Sequence, residues 1–179
     1  MGPGRRDFLR TGAFAVLALA LGPSRARAMG EEPRQLRLLN THTGERADVT
    51  YFEGGDFVPG ALAELDRLLR DFRTGDVHPI DPGVLDIVWS LARGADRPRG
   101  TVDVVSGYRS PRTNALLHER SQGVAVHSMH LQGRAIDFRM TGTPTGRLRD
   151  LAIALQRGGV GFYPSSDFVH VDTGRVRRW

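Results

Sequence analysis

Two stretches decide the fold: residues 128–137, Ser-Met-His-Leu-Gln-Gly-Arg-Ala-Ile-Asp, and residues 168–172, Phe-Val-His-Val-Asp. In the second stretch apolar side chains alternate with polar ones, which predicts a strand that has one face in the core and His170 on the other. A similar alternation over 134–140 predicts another strand, with Asp137 on the face opposite the core. Both strands are therefore expected to present ionisable side chains to a cleft while their apolar faces anchor them.

The rest of the chain predicts an α+β fold, because helical patterns come early, strands come late and the connections are mixed. Helices are expected at 59–72, 82–94, 110–123 and 144–156. Asp81-Pro82 supplies an N-cap and a proline at the first helical position for the second of these helices. Strands are expected at 36–40, 47–52, 102–106, 134–140, 158–163 and 168–172. We expect them to form a small antiparallel sheet with helices packed on one side, and residues 124–133 to form a loop.

His130, Asp137 and His170 form the candidate metal site. Two imidazoles and one carboxylate suit Zn²⁺, and three protein ligands leave a fourth position for water, as in catalytic zinc sites. Spacing alone does not separate this interpretation from three unrelated polar residues, because the two histidines lie far apart in the chain.

The beginning of the chain predicts an export signal. Arg5-Arg6 is a twin-arginine pattern, the apolar run 13–21 is too short to span a bilayer, and Ala26-Arg27-Ala28 is typical of a processing site. We interpret residues 1–28 as a twin-arginine signal peptide and 29–179 as a single domain, exported to the periplasm, with no integral membrane segment in the mature chain.

Composition excludes several classes of function. The predicted signal contains five of the 25 basic residues and one of the 20 acidic residues, so the mature chain has a net charge of about +1. A nearly neutral domain gives no electrostatic reason to expect nucleic acid as a partner. The chain contains no cysteine, which excludes disulfides, thiolate metal sites and a cysteine nucleophile. The sequence does not indicate an oligomeric state.

The two opening stretches resemble the zinc peptidases of the D-alanyl-D-alanine peptidase group, the M15 class, whose site is related to those of lysostaphin-type enzymes and the hedgehog signalling domain. Further matching motifs point to the exported branch known as domain-of-unknown-function-882 or YcbK-like proteins, which resemble murein endopeptidases. These motifs are Asn-Thr-His-Thr-Gly-Glu at 40–45, Ser-Gly-Tyr-Arg-Ser at 106–110, Gly-Val-Gly-Phe-Tyr-Pro at 159–164 and Gly-Arg-Val-Arg-Arg-Trp at 174–179. The resemblance covers most of residues 36–179.

The resemblance implies a zinc enzyme that cleaves peptide cross-links in the cell wall, with peptidoglycan stem peptides as substrate. In the resembling enzymes the arginine of the Ser-Gly-Tyr-Arg motif, here Arg109, lines the cleft and contacts substrate. Ser128 and Tyr108 are further candidates for substrate binding, and Tyr163 could line the same groove. His127 is not used as a ligand in the family pattern, so we interpret it as a polar loop residue.

Two acids compete for the role of general base. Asp167 precedes His170 by three residues, a spacing that resembles the acid-x-x-His arrangement in parts of the class. Asp172 follows His170 by two residues and shares its strand face. It is an alternative base, or a group that orients the imidazole of His170. The sequence leaves these alternatives open.

Two other functions remain for the same sequence. One is a D,D- or L,D-carboxypeptidase that trims stem peptides, and the other is a non-catalytic cell-wall binding module that retains the metal for stability. The motifs do not distinguish among cross-links.

Overall fold

The structure is a computed structural model that describes residues 32–120 and 125–179. The predicted signal peptide, residues 1–28, lies outside the described residues. Within the described ranges the helices are α1 (Pro59–Leu68), α2 (Pro82–Gly94), α3 (Pro111–Arg120) and α4 (Thr145–Leu155). The strands are β1 (Arg34–Asn40), β2 (Arg46–Glu53), β3 (Asp56–Phe57), β4 (Thr101–Ser106), β5 (Ala135–Met140), β6 (Gly159–Tyr163), β7 (Phe168–Asp172) and β8 (Arg177–Arg178).

These strands form one sheet in the order β3-β2-β1-β4-β5-β7-β6-β8. The α+β class is confirmed, but the sheet is larger than the sequence predicted and is mixed rather than antiparallel. The pairs β1–β4 and β6–β8 are parallel, and the other neighbouring pairs are antiparallel. The sequence pattern missed β3 and β8 because two residues are too short a run to show alternation.

Helices α1, α2 and α4 contact the sheet, and their apolar side chains share one core with it. Helix α2 begins as predicted: the side chain of Asp81 accepts a hydrogen bond from the backbone N–H of Gly83 at 2.8 Å, and Pro82 is the first helical residue. None of the helices within the described ranges is both long and apolar enough to cross a membrane.

The strand pair β5–β7 has one face in the core and the other face towards a cleft. Ile136 and Phe138 on β5, with Val169 and Val171 on β7, are buried in the core. The intervening residues point the other way, so alternation along two adjacent strands builds the candidate site directly on the sheet, as the sequence predicted.

The loop predicted at 124–133 contains a short 3-10 helix, Met129–Gln132. The Ser128 hydroxyl caps it by accepting a hydrogen bond from the His130 N–H at 3.3 Å. Gly133 ends it with φ at +65°, where a side chain would also collide with the carbonyl of Pro79. This helix fixes the backbone that carries His130.

Candidate metal centre

His130 reaches the sheet from the 3-10 helix. Its Nδ1 lies 2.7 Å from the carbonyl oxygen of Gly107, and its own carbonyl accepts from the Arg109 N–H at 3.1 Å. Because a carbonyl oxygen only accepts, His130 Nδ1 carries the proton and Nε2 presents a lone pair to the cleft.

Asp137 and His170 lie directly opposite each other in the β5–β7 ladder. Asp137 Oδ1 is 2.7 Å from His170 Nδ1 and 3.2 Å from His130 Nε2, and the two ring nitrogens are themselves 3.2 Å apart. All three side chains are buried. The two strands therefore supply two of the groups and the 3-10 helix supplies the third.

The donor set fits a divalent metal ion. One ligand atom from each of His130, Asp137 and His170 lies within 4.8 Å of the others. The remaining nitrogen of each ring faces an acceptor, Gly107 O or Asp172 Oδ2, which directs the unprotonated nitrogen of each neutral ring to the same point. Two imidazole nitrogens and a carboxylate oxygen that converge in a buried site can hold a divalent cation between them.

The electrostatics of the cluster also favour a positive charge. Burial lowers the pKa of His170, but hydrogen bonds to Asp137 and Asp172 outweigh burial and raise that pKa to about 9. Burial raises the pKa of Asp137, yet the two histidines hold it well below the usual carboxyl range. Burial keeps the pKa of His130 below its ordinary value, partly offset by Asp137. An anionic carboxylate between two rings is the expected state.

Asp172 lies on the far side of the His170 ring from the proposed metal position. Its carboxylate has no exposed surface. It accepts hydrogen bonds from the N–H groups of Gly159 (3.1 Å) and Gly174 (2.8 Å), from His170 Nε2 (3.0 Å) and from both terminal nitrogens of Arg177. Burial raises its pKa, but these donors lower it far below the usual range. Asp172 is thus an ionised group that is fully engaged in holding His170.

Asp167 occupies an exposed turn between β6 and β7, with φ at +50°. Its carboxylate accepts a hydrogen bond from the Thr145 hydroxyl at 2.9 Å. Neither Asp167 nor Asp172 is among the residues that line the cavity at the metal site.

That cavity has a volume of about 340 Å³ and contains the three candidate ligands in its wall. The other lining residues are Arg109, Ala125, His127, Ser128, Met129, Tyr163, Phe168, Arg177 and Trp179. Arg109 and Ser128 therefore line the cavity, and His127 lines it without joining the ligand group.

Arg109 is the strongest candidate for contact with an anion in this cavity. Its guanidinium is buried, its Nη2 lies 3.6 Å from Asp137 Oδ2, and its Nε has no hydrogen-bond partner. Ser110 fixes the turn behind it, since its N–H and hydroxyl both donate to Asp71 at 2.9 and 2.7 Å. A guanidinium that lines a cavity can bind a carboxylate or a carbonyl.

Tyr108 lies elsewhere than the sequence suggested. Its ring stacks on His78 with centroids 4.7 Å apart and packs against the core, and its N–H donates to the Leu69 carbonyl at 2.7 Å. Its position does not support contact with substrate. Tyr163 does line the cavity, whereas Arg177 and Trp179 were missed as cavity residues although they lie in a motif that carried the resemblance.

Comparison with known families places this site in context. A family profile, Peptidase_M15_2, described as peptidoglycan L,D-endopeptidase MepK, matches residues 28–179. The chain belongs to this family. The three candidate ligands and every cavity residue fall within the part that matches the Peptidase_M15_2 family.

Curated relatives agree with this assignment to the Peptidase_M15_2 family. The chain is 41% identical over 176 residues to the peptidoglycan L,D-endopeptidase MepK of Escherichia coli (strain K12), covering 98% of this chain and 96% of the relative. It is 40% identical over 177 residues to the probable peptidoglycan L,D-endopeptidase MepK of Haemophilus influenzae, covering 98% and 95% respectively. No solved structure matches the chain.

Proposed function

We propose that this protein is an exported, zinc-dependent peptidoglycan L,D-endopeptidase that cleaves peptide cross-links in the cell wall. The observation that carries the proposal is the convergence of His130, Asp137 and His170 on one point at the wall of a cavity, in a chain that is similar over nearly its whole length to enzymes of that name.

Zinc is the metal that best suits this donor set. Two imidazoles and one carboxylate, with no thiolate in the chain, are a ligand combination found in catalytic zinc sites that keep an open position. When bound, zinc supplies a Lewis acid for the scissile carbonyl and a hydroxide nucleophile at neutral pH.

The protein's own residues orient the substrate. Arg109 lies beside Asp137 in the cavity wall, and its guanidinium would bind a carboxylate of the stem peptide, which fixes the peptide relative to the ligands. Ser128, at the start of the 3-10 helix, lines the same wall and can hydrogen-bond the peptide backbone.

Of the two acids considered as general base, Asp172 is proposed to orient His170 instead. Its oxygens are occupied by five donors, and the His170 ring separates it from the cavity. Asp167 would have to leave Thr145 and the exposed turn to reach the reacting atoms. The geometry therefore favours a positioning role for Asp172 and a turn role for Asp167.

The site of action follows from the substrate. The cross-links of peptidoglycan lie outside the cytoplasmic membrane, so the enzyme must be exported, and the twin-arginine pattern and processing signal over residues 1–28 provide a route. We infer a periplasmic enzyme that crosses the membrane already folded.

Product analysis tests the proposal. Zinc-loaded wild-type protein is incubated with purified sacculi and with isolated cross-linked dimers, beside His170→Ala, and the products are separated by chromatography. Conversion of dimers to monomers by the wild type alone supports the endopeptidase. Shortened monomer stems would indicate the carboxypeptidase, and binding to sacculi without any released fragment would indicate the binding module.

A further inference from the structure

The segment Gly174–Trp179, which we call the 174–179 segment, runs beside the metal site. It contains β8, which pairs with β6 in parallel. Beyond β8 the pairing continues, because the Trp179 N–H donates to the Val160 carbonyl at 3.2 Å and the Phe162 N–H donates to the Trp179 carbonyl at 3.1 Å. These bonds bring the side chains of Arg177 and Trp179 to the cavity wall.

Arg177 forms a two-pronged ion pair with Asp172. Its Nη1 donates to Oδ1 at 3.0 Å and its Nη2 donates to Oδ2 at 2.7 Å. The same Oδ2 accepts from His170 Nε2 at 3.0 Å. A continuous chain of contacts therefore runs from the 174–179 segment to the nitrogen opposite the candidate ligand atom of His170. Bidentate pairing fixes the plane of the carboxylate, and the carboxylate fixes the imidazole.

Trp179 packs against the ring of His170, the same candidate metal ligand. Its ring centroid lies 5.2 Å from that of His170, and its Nε1–H donates to the Tyr163 hydroxyl at 2.8 Å. The guanidinium of Arg177 lies 4.8 Å from its ring centroid. Trp179 is 52% exposed as a residue, and it lines the cavity. An aromatic surface held from several sides and open on another is suited to contact a ligand.

Strand β6 carries glycines at the two positions that face the 174–179 segment. A Cβ on Gly161 would lie 2.8 Å from Cε2 of Trp179, and one on Gly159 would lie 2.5 Å from Asp172 Oδ2. Both glycines flank Val160, which points into the core. The cleft face of β6 is thus shaped to receive Arg177 and Trp179.

We propose that the 174–179 segment is part of the active site. Arg177 is a positioning residue that holds His170 for the metal through Asp172, and Trp179 is the aromatic wall that contacts the stem peptide. The inference rests on the proposed function, because it assumes that a metal and a peptide occupy this cavity.

The role of Arg177 is tested by zinc affinity alone. Metal-free wild type, Arg177→Gln, Arg177→Lys and Arg178→Gln are titrated with Zn²⁺ against a chelator of known affinity. Loss of a group that supports a ligand imidazole weakens metal binding by about 10- to 100-fold, which we expect for Arg177→Gln. Arg177→Lys should recover part of the loss, because a lysine supplies the charge but not the two-pronged geometry. Arg178 is the exposed neighbour on the same strand and serves as the matched control.

Circular dichroism of each metal-free variant establishes that it is folded. Wild-type zinc affinity in folded Arg177→Gln would overturn the positioning role. If Arg177→Gln does not fold, Arg177→Lys decides the question: a measurable weakening supports the role, and wild-type affinity overturns it. The absorption spectrum of the Co²⁺-substituted proteins gives a second readout, since a shifted imidazole changes the ligand field.

The role of Trp179 is tested by substrate binding at unchanged zinc affinity. Trp179→Ala should raise KM for a cross-linked dimer by about 2- to 10-fold, the range of a single aromatic contact, and Trp179→Phe should recover part of the loss. Gly161→Ala should have the same effect, because its methyl group displaces the indole, whereas Gly146→Ala adds a methyl group in open space.

Fluorescence gives a readout that does not depend on turnover. The chain has two tryptophans, so Trp89→Phe leaves Trp179 as the sole emitter. Addition of a cross-linked dimer to this metal-free variant should change its emission. Unchanged KM together with unchanged emission would overturn the substrate contact. If wild type hydrolyses no muropeptide, the proposed function fails by itself, while zinc affinity and emission still decide the roles of Arg177 and Trp179.

Discussion

The two faces of the β5–β7 pair follow the same alternation but bury opposite kinds of side chain. On the core face Phe138 and Val169 are paired neighbours with no exposed surface. On the cleft face Asp137 and His170 are also paired neighbours and are nearly as buried. Apolar burial stabilises the first face directly. Burial of the second face is tolerated only because each polar atom has a partner, and those partners define where a metal can bind.

The core face therefore holds the two strands together, while the cleft face presents the groups that can bind a metal. A substitution on the core face should lower stability and leave the ligand geometry intact in the molecules that remain folded. A substitution of a candidate ligand on the cleft face should remove metal binding directly.

The largest effect is expected from the ligands. His130→Ala or His170→Ala should abolish hydrolysis and remove zinc together, because two remaining ligands hold the ion poorly. Metal analysis of the purified variants, beside a muropeptide assay, checks both losses. His127→Ala is the matched control for zinc content, since His127 lines the cavity outside the ligand group. Full zinc occupancy in either ligand variant would contradict the assignment.

Phe138→Ala should break the core face alone. Phe138 is fully buried, and truncation of such a ring typically costs about 3–5 kcal/mol in unfolding free energy. Urea unfolding of the metal-free protein measures the cost. At low temperature, where the variant is folded, zinc affinity should stay near that of the wild type. A loss of zinc affinity as large as that of His170→Ala would show that the two faces are not independent.

Much of this contrast could be predicted from the sequence, because alternation is a local pattern. Residues 134–140 and 168–172 specify their core and cleft faces by the order of apolar and polar side chains, and the Asp81 cap is equally local. Partnerships across the fold are not local. The bond from the Gly159 N–H to Asp172 depends on β6 lying beside β7, and the position of Arg177 depends on the pairing of β8 with β6, which no sequence period reveals.

The position of Tyr108 shows the same limit. Its motif predicted a cleft residue, but its ring stacks on His78, outside the cavity at the metal site. The sequence predicted correctly that the motif at 106–110 lies near the site. Which of its side chains lines the cavity depends on tertiary contacts, and it is Arg109.

A smaller effect is expected from pH on the metal-free protein. The pKa of His170 is raised to about 9 in the folded state. A group whose pKa is raised by folding stabilises the folded protein fully at pH values below its unfolded-state pKa, which is about 6.5 for histidine. This stabilisation is lost as the pH rises through the folded-state pKa. Unfolding free energy should therefore fall between about pH 6.5 and 9, while zinc affinity rises because the proton no longer competes.

Urea unfolding at several pH values checks this prediction. His170→Gln is the control, because it removes the titrating ring and should flatten the dependence over the same interval. An equally steep fall in the unfolding free energy of His170→Gln would assign the pH dependence to other groups. The charge of His170 would then not be what stabilises the protein over this interval.

The smallest effect is expected at Asp167, and it sharpens the contrast between the two acids that flank His170. Asp167→Asn keeps the shape of the side chain and suits the positive φ of the turn, but removes the ionisable group. The hydrogen bond with Thr145 is exposed enough that its change should cost no more than about 1 kcal/mol. We expect kcat/KM to stay within about twofold of the wild type, since a fall of one factor of ten would require about 1.4 kcal/mol in the transition state. Asp172→Asn, by contrast, should weaken zinc binding by about 10- to 100-fold, because an amide cannot satisfy the donors that surround the buried carboxylate. A large fall in kcat for Asp167→Asn at normal zinc content would make Asp167 the general base, and the acid-x-x-His spacing would then have identified a residue that must move to act.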